Sequence, residues 1–324
     1  MRIGFTYDLK EDYLARGFSE EAAGEFDTRQ TIEAIETAIR GHGHEVERIG
    51  ALPALVEALA AGRRWNLVFN ICEGVAGVAR EAQVPALLEA YGIPCTFAAA
   101  DVLTVAMDKA LAKLVVRQAG LATPDFAVIR SARDLARLDL PFPLFVKPLA
   151  EGTSKGVQET SRVADRAALT RACLEVLKTY RQPALVETFL PGREFTVGIL
   201  GADGDARLIG VAEVRFKPGG DPSAYSFRNK MEAFDELRLT DDATARAAGA
   251  LALAAWRALG CRDAGRIDVR CDAAGRPAFI EANPLAGLSP GWSELPVLAA
   301  EAGLSYEALI GAILNEAMAR VPAG

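Results

Sequence analysis

Three short stretches near the start of the chain, RIGFTY (2–7), EVERIG (45–50) and NLVFNIC (66–72), are apolar or alternating runs bounded by polar and glycine residues, and each predicts a strand. Helical patterns separate them. One begins at Asp27, whose carboxylate is placed to cap a first turn while Gln30 completes a capping box. PALLEAYG reads as a further helix ending at Gly92, followed by a short strand, IPCTF. This alternation predicts a small parallel sheet wrapped by helices. Next come a helix around Met107–Ala119, stopped by Gly120, and the strand pairs PLFVKPL with KGVQET and ALVETFL with EFTVGIL, with a helix near 164–180. The last third carries a hairpin and helices near 242–259, 294–302 and 305–320. No repeat, low-complexity tract or long linker interrupts the chain, so its parts are expected to pack together.

The hairpin, GRIDVRCDAAGRPAFIEANP (265–284), raises the question of chemistry. RIDVR and PAFIEA alternate polar with apolar residues around the turn DAAG, so Arg266, Asp268 and Arg270 share one face. Glu281 and Asn283 point together on the second strand, with Ile280 and Ala282 pointing away. If Asp272 and Gly275 flank the turn, Arg266 lies opposite Glu281 and Asp268 diagonally across from it. A solvated face with a cross-strand salt bridge would look like this. So would a cation site, because Asp, Glu and Asn offer hard oxygen ligands that suit Mg²⁺ on substrate phosphates.

Other stretches bear on the choice. Lys147 interrupts a strand that otherwise reads as buried, and so calls for an anionic partner. The loop after it, Glu151-Gly152-Thr153-Ser154-Lys155-Gly156, has small and polar residues that could wrap phosphate oxygens, without the Walker A order. A hairpin turn beside a salt-bridged lysine is the plainer reading. Lys109 and Lys113 lie at i and i+4, which by itself means a solvated stripe. Glu187 and Glu194 frame a turn between two strands, where they could bind an adenine amino group and ribose hydroxyls or pair with Lys147 and Arg193.

Composition narrows the class. The chain has 324 residues, 51% hydrophobic and 24% charged, enough for two or three domains with cores. A net charge of −7 argues against nucleic-acid or anionic-membrane partners. No apolar run spans a bilayer and the first residues lack a signal-peptide plan, so a cytoplasmic location is expected. The five cysteines show no C-x-x-C spacing and read as free thiols. His42 and His44 are the two histidines and sit at a helix end, which disfavours a histidine triad or metal centre.

DKALAK, FVKPLAEGTSKGV, LVETFLPGREFTV, YSFRNK, GRIDVR and FIEANPLAGLSPGWSELP, in this order and spacing, resemble the ATP-grasp fold and within it the D-alanine–D-alanine ligases. The likeness runs over nearly the whole chain. It implies a Rossmann-like parallel-sheet α/β domain at 1–98, then an ATP-grasp fold of two subdomains, a small or central one at 99–184 and a carboxy-terminal one at 185–324. It also implies roles. Lys109 and Lys147 would bind ATP phosphates under the loop with Glu151, Thr153 and Ser154, and Lys230 would reach the γ-phosphate. Glu187 with the backbone of Phe189 and Leu190 would recognise adenine, and Glu194 the ribose. Asp268, Glu281 and Asn283 would hold Mg²⁺, two ions in the family's pattern, with Mn²⁺ a substitute. Arg266 and the Gly287 amide would stabilise the tetrahedral oxyanion, and Ser293 would hold the second amino acid's carboxylate. Glu213–Glu232 would be a mobile cover.

The departures cluster on the first-substrate side. TYDLKEDYLARGFSEE stands where the family has a glycine-rich turn with a glutamate, and Glu73 stands where it usually has a histidine. Met231 replaces a tyrosine, Thr153 a serine, and one extra residue separates Gly287 from Ser293. The expected function is therefore an ATP-dependent carboxylate–amine ligase joining two amino acids or close analogues through an acyl phosphate. D-alanyl-D-alanine synthesis for peptidoglycan precursors is the nearest alternative, and a non-catalytic ATP-binding relative is another. A Rossmann oxidoreductase is weaker, since no G-x-G-x-x-G follows the first strand. Substrate identity and oligomeric state stay open, a homodimer included. Glu73 is expected to make the first-substrate pocket more anionic, unless it only pairs with Arg80.

Overall fold

The computed structural model describes residues 1–217 and 235–321. Strands β1 (Arg2–Tyr7), β2 (Glu45–Gly50) and β3 (Leu67–Ile71) form a parallel sheet in the order β2-β1-β3. Parallel strands need cover on both faces. Ile3, Phe5 and Phe69 pack against Ile32, Ile35 and Ile39 of helix Arg29–Gly41 and Ile313 and Leu314 of helix Tyr306–Met318. Val68 packs on the other side with Leu55, Leu59 and Leu88. The last helix of the chain thus closes the first sheet.

β4 (Phe126–Ile129), β5 (Leu144–Pro148), β6 (Arg162–Val163) and β7 (Ala184–Thr188) form an antiparallel sheet ordered β4-β7-β5-β6. β8 (Glu194–Leu200), β9 (Arg207–Phe216), β10 (Asp235–Leu239), β11 (Ala264–Cys271) and β12 (Pro277–Asn283) form a second, ordered β10-β9-β8-β11-β12. Helix Ala243–Ala258 packs Trp256 and a row of alanines on this second sheet.

Several expectations are corrected. Thr28, not Asp27, caps the second helix, its hydroxyl accepting from the Thr31 N–H at 3.4 Å, while Asp27 turns inward toward Asp8. IPCTF makes only a bridge beside Val68, because Pro94 has no N–H with which to extend the ladder. The helix around Met107–Ala119 is two helices, Ala100–Met107 and Lys109–Gln118, parted at Asp108, whose carboxylate caps the second through the Ala110 and Leu111 N–H groups. KGVQET is loop running into a 3-10 turn at Glu159–Ser161, and β5 pairs instead with β6 and β7. β7 and β8 are not a pair: the chain leaves one sheet for the other at Pro191-Gly192, where the Gly192 N–H bonds the Cys271 carbonyl.

The hairpin register also differs. Its loop has three residues, closed by the Asp272 N–H on the Arg276 carbonyl at 2.9 Å, with Gly275 at φ +75°. A bulge then adds Ile280, so that Asp268 faces Glu281 and Arg266 faces Asn283. The two single-residue steps together preserve the polar face. Ile280 itself no longer points away, and it lines the cleft described next.

Candidate active site

An open cleft of about 780 Å³ lies between the two antiparallel sheets. It brings together Lys109, Lys147, Glu151, Ser154, Glu187, Phe189, Leu190, Glu194, Asp268 and Glu281 of the residues expected from sequence. Thr153, Arg266, Asn283, Gly287, Ser293 and Glu73 are outside its lining. Lys230, with most of the expected cover, lies outside the described residues.

One wall is β5 and β7. Glu187, buried on β7, takes Lys147 on one oxygen and Lys113 on the other, each at 2.9 Å. Lys113 is therefore no surface residue. It is fully buried, 5.8 Å above the Phe279 ring, and burial pulls it down to about 8 despite Glu187. Burial also opposes the charge on Lys147, but Glu187 and Glu281 overcome it and hold that lysine above its ordinary value. Burial would raise Glu187, and the two lysines outweigh it and keep the carboxyl low. Of the two readings of Glu187, the ion pair with Lys147 is present; Arg193 pairs elsewhere, with Glu213 and Asp242.

The edge of this wall is aromatic. Phe189 stacks near Phe145, with centroids 6.4 Å apart, and the guanidinium groups of Arg162 and Arg270 lie 4.6 and 5.2 Å from its ring centroid. Arg270 bonds Glu194 at 3.0 Å, and burial raises the Glu194 carboxyl. Arg270 had no expected role. Its place on the polar face was the one available signal.

The hairpin forms the facing wall. Asp268 accepts from Arg266 Nη1 at 2.7 and 2.8 Å, from Thr196 Oγ1 at 2.8 Å and from Asn283 Nδ2 at 3.1 Å. Glu281 lies 3.4 Å from Lys109 Nζ, which also donates to the Glu151 carbonyl at 2.5 Å. The Arg266–Asp268 ion pair runs within β11 rather than across the strands, Asn283 bonds Asp268 from β12, and the two carboxylates and the amide share one face. That oxygen donor set fits a hard divalent cation bound together with phosphates. Among the described residues no group of three His, Cys, Asp or Glu gathers as a protein-only metal site.

Arg266 Nε approaches Glu294 at 3.7 Å, linking the hairpin to the loop that carries Gly287 and Ser293. Ser293 Oγ accepts from the Ser289 N–H at 3.0 Å, and a Cβ on Gly287 would meet that oxygen at 2.8 Å. The glycine lets the loop fold tightly over its serine.

The loop after β5 turns through Thr153 (φ +47°), Ser154 (φ +55°) and Gly156 (φ +74°). Left-handed backbone at two non-glycine residues is costly and is kept where neighbours enforce it. The enforcing group is Glu25, a residue the sequence did not single out. Its carboxylate accepts from the Gly152 N–H at 2.9 Å, Lys155 Nζ at 2.7 Å and Arg80 Nη2 at 2.9 Å, and Arg80 Nη1 donates to the Ala150 carbonyl at 3.1 Å. Burial would raise Glu25, yet Arg80 and Lys155 hold it below the ordinary range. Glu73 lies nearby without an ion pair to Arg80, which is taken by Glu25.

A family model described as "D-ala D-ala ligase C-terminus" matches residues 115–315. The chain belongs to the D-alanine–D-alanine ligase family. This ligase-family chain is 33% identical over 299 residues to the D-alanine–D-alanine ligase of Gluconobacter oxydans, covering 89% of this chain and 93% of that protein. It is also 33% identical over 302 residues to the uncharacterized protein y4sG of Sinorhizobium fredii, covering 89% and 87%. In fold it matches the crystal structure of D-alanine–D-alanine ligase from Bacillus anthracis complexed with ATP, with a TM-score of 0.73, 23% identity and coverage of 99% and 98%. The architecture is thus an amino-terminal parallel-sheet α/β unit followed by an ATP-grasp fold. Membership makes the chain an ATP-grasp, carbon–nitrogen bond-forming ligase. No single helix among the described residues is long and apolar enough to cross a membrane.

Proposed function

We propose that this ligase uses ATP to join two amino acids or close analogues, releasing ADP and phosphate. The observation that carries the reading is the gathering, in one cleft, of Lys109 and Lys147 with Asp268 and Glu281. The lysines suit phosphate oxygens, and the carboxylates suit the cation that accompanies them. Asp268, Glu281 and Asn283 would hold Mg²⁺, which supplies charge neutralisation at the transferred phosphoryl group. The chain's own residues supply the rest. Lys109 and Lys147 bind phosphate oxygens, the Glu151–Gly156 loop borders them, and Phe189 and Leu190 present apolar surface and backbone to the base. Glu187 fixes Lys147 from behind and Glu194 stands beside Arg270 at the sugar end.

In the first step a carboxylate oxygen of one substrate attacks the γ-phosphorus, and the bond to the β-phosphate oxygen breaks to release ADP. In the second, an amine nitrogen attacks the acyl carbon, its lone pair forming the C–N bond, and the carbon–oxygen bond to phosphate breaks. Arg266 and the Gly287 N–H stabilise the oxyanion between these events, and Ser293 orients the second substrate. Lys230 completes the phosphate set. The same reading divides the chain at 98/99 and, because 184/185 would cut β7 from its partners β4 and β5, at Pro191-Gly192 rather than at 184/185.

D-alanine joined to itself is the second reading, favoured by the likeness to the Gluconobacter ligase. Incubation with ATP, Mg²⁺ and pairs of D- and L-amino acids tests both readings. ADP and phosphate should form in step with a dipeptide. AMP as the nucleotide product would exclude the mechanism.

A further inference from the structure

We propose that Glu73 and Glu81 form a subsite for a second positive charge on the substrate whose carboxylate is activated, making that substrate a diamino acid. The proposal rests on the ligase reading and adds the class of its first substrate.

The place is one where open α/β sheets bind ligands, beyond the carboxyl ends of parallel strands. β1 ends beside Asp8, and β3 runs into Cys72 and Glu73. The following loop folds back on itself at Gly74 (φ +72°), where a Cβ would lie 2.5 Å from the Arg80 carbonyl oxygen. This close approach sets Glu73 against the Arg80–Glu81 segment.

Charge here does not balance. Among the described residues, Asp8, Glu25, Asp27, Glu73 and Glu81 meet Arg80 and Lys155, which both bind Glu25, and Lys109, which bonds Glu281. Asp8 accepts from the Tyr13 hydroxyl at 2.5 Å and the Gly74 N–H at 2.9 Å. Glu81 is only 8% exposed and has no hydrogen-bond or ion-pair partner among the described residues, and it is the strongest charged influence on Glu73. Two carboxylates without an ion-pair partner among the described residues either keep protons or take a cation from outside.

Their surroundings favour the proton when nothing else is bound. Burial raises Glu73 well above the usual carboxylate range, helped by Glu81, Glu25 and Asp27 and opposed by Arg80. Burial likewise pushes Glu81 up to about 8, against Arg80 and Lys109 and with Glu25. An arriving ammonium would replace those protons. Lys109, one of the charges that act on Glu81, also lines the nucleotide cleft and bonds Glu281, so the subsite borders that cleft. A substrate with its carboxylate at the phosphate end and an amine a few bonds away spans the two. Alanine carries no second ammonium to place there.

Calorimetric titration of the full chain, loaded with a non-hydrolysable ATP analogue, tests this with both enantiomers of ornithine, lysine and alanine in two buffers of different ionisation enthalpy near neutral pH. At least one diamino acid should bind about tenfold or more tightly than either alanine, with release of protons. Glu81→Gln and Glu73→Gln, each an isostere of the protonated acid, should bring that preference to within about threefold of unity and remove the proton release, with the affinity for the ATP analogue unchanged. The proposal is overturned by alanine binding as well as every diamino acid, by no diamino acid binding, or by a preference that survives in both variants. Failure of the ligase reading would show separately, as AMP formation or the absence of ADP from every amino-acid pair, and leaves these binding ratios readable.

Discussion

The Glu25 carboxylate holds the Lys155 ammonium at 2.7 Å and so fastens the amino-terminal part of the chain to the loop bordering the nucleotide cleft. The same carboxylate holds Arg80, and all three side chains are buried. Removing the shared anion would leave buried Arg80 and Lys155 without their ion-pair partner, so Glu25→Ala should destabilise the fold by roughly 3–5 kcal/mol in urea unfolding. Glu25 is held below its unfolded value, so its contribution is complete above the ordinary carboxylate range and is lost as pH falls through the lower folded value. Unfolding midpoints measured against pH should show an acid-side loss that is absent in Glu25→Gln.

Gly152 tests the same fastening from the loop side. A Cβ there would occupy the place of Glu25 Oε1, and the Gly152 N–H bond to that oxygen would be lost. Gly152→Ala should weaken ATP-analogue binding by about 1.5 kcal/mol, roughly tenfold. An unchanged dissociation constant would show that the loop does not need Glu25 to hold nucleotide.

In the cleft wall, Glu187 and its two lysines should respond unequally to substitution. Glu187→Ala leaves Lys113 and Lys147 buried together and should cost roughly 3–5 kcal/mol of stability. Lys113→Met keeps the Glu187–Lys147 pair and removes a charge that burial already disfavours, so a change under about 1.5 kcal/mol is expected. Equal losses in the two variants would mean that Lys113 is needed as a cation.

Arg266 is bonded to Asp268 in the hairpin network, yet its proposed work is on the oxyanion. Arg266→Ala should lower kcat by about 2.7–4 kcal/mol in barrier terms while changing ATP affinity little. A near-normal kcat would leave it as a structural partner of Asp268.

Glu281 faces Asp268 across β11 and β12. Glu281→Gln keeps its shape and removes its charge, and the Mg²⁺ concentration giving half-maximal ADP formation should rise at least about tenfold. The check is a metal titration at saturating ATP, compared with the unsubstituted protein.

Much of the molecule was legible locally. The period of two in RIDVR and PAFIEA, and the longer period in 242–259 and 305–320, are properties of neighbouring residues, so β11, β12 and the late helices stand where the pattern put them. The polar face of the hairpin survived even a mistaken register, because two single-residue steps return each side chain to its original side. Sheet membership was not local: ALVETFL and EFTVGIL read as a hairpin, and only the distant strands β5 and β11 show that they part at Pro191-Gly192. Nor was the fate of charge. Lys113 has the spacing of a surface lysine and is buried, while Glu25 lies in an acidic stretch and meets Lys155 and Arg80 from elsewhere in the chain. Side-chain periodicity follows from covalent geometry and a few adjacent dihedrals, whereas burial and ion pairing depend on which remote elements close over a residue, and that is decided only when the sheets and helices pack.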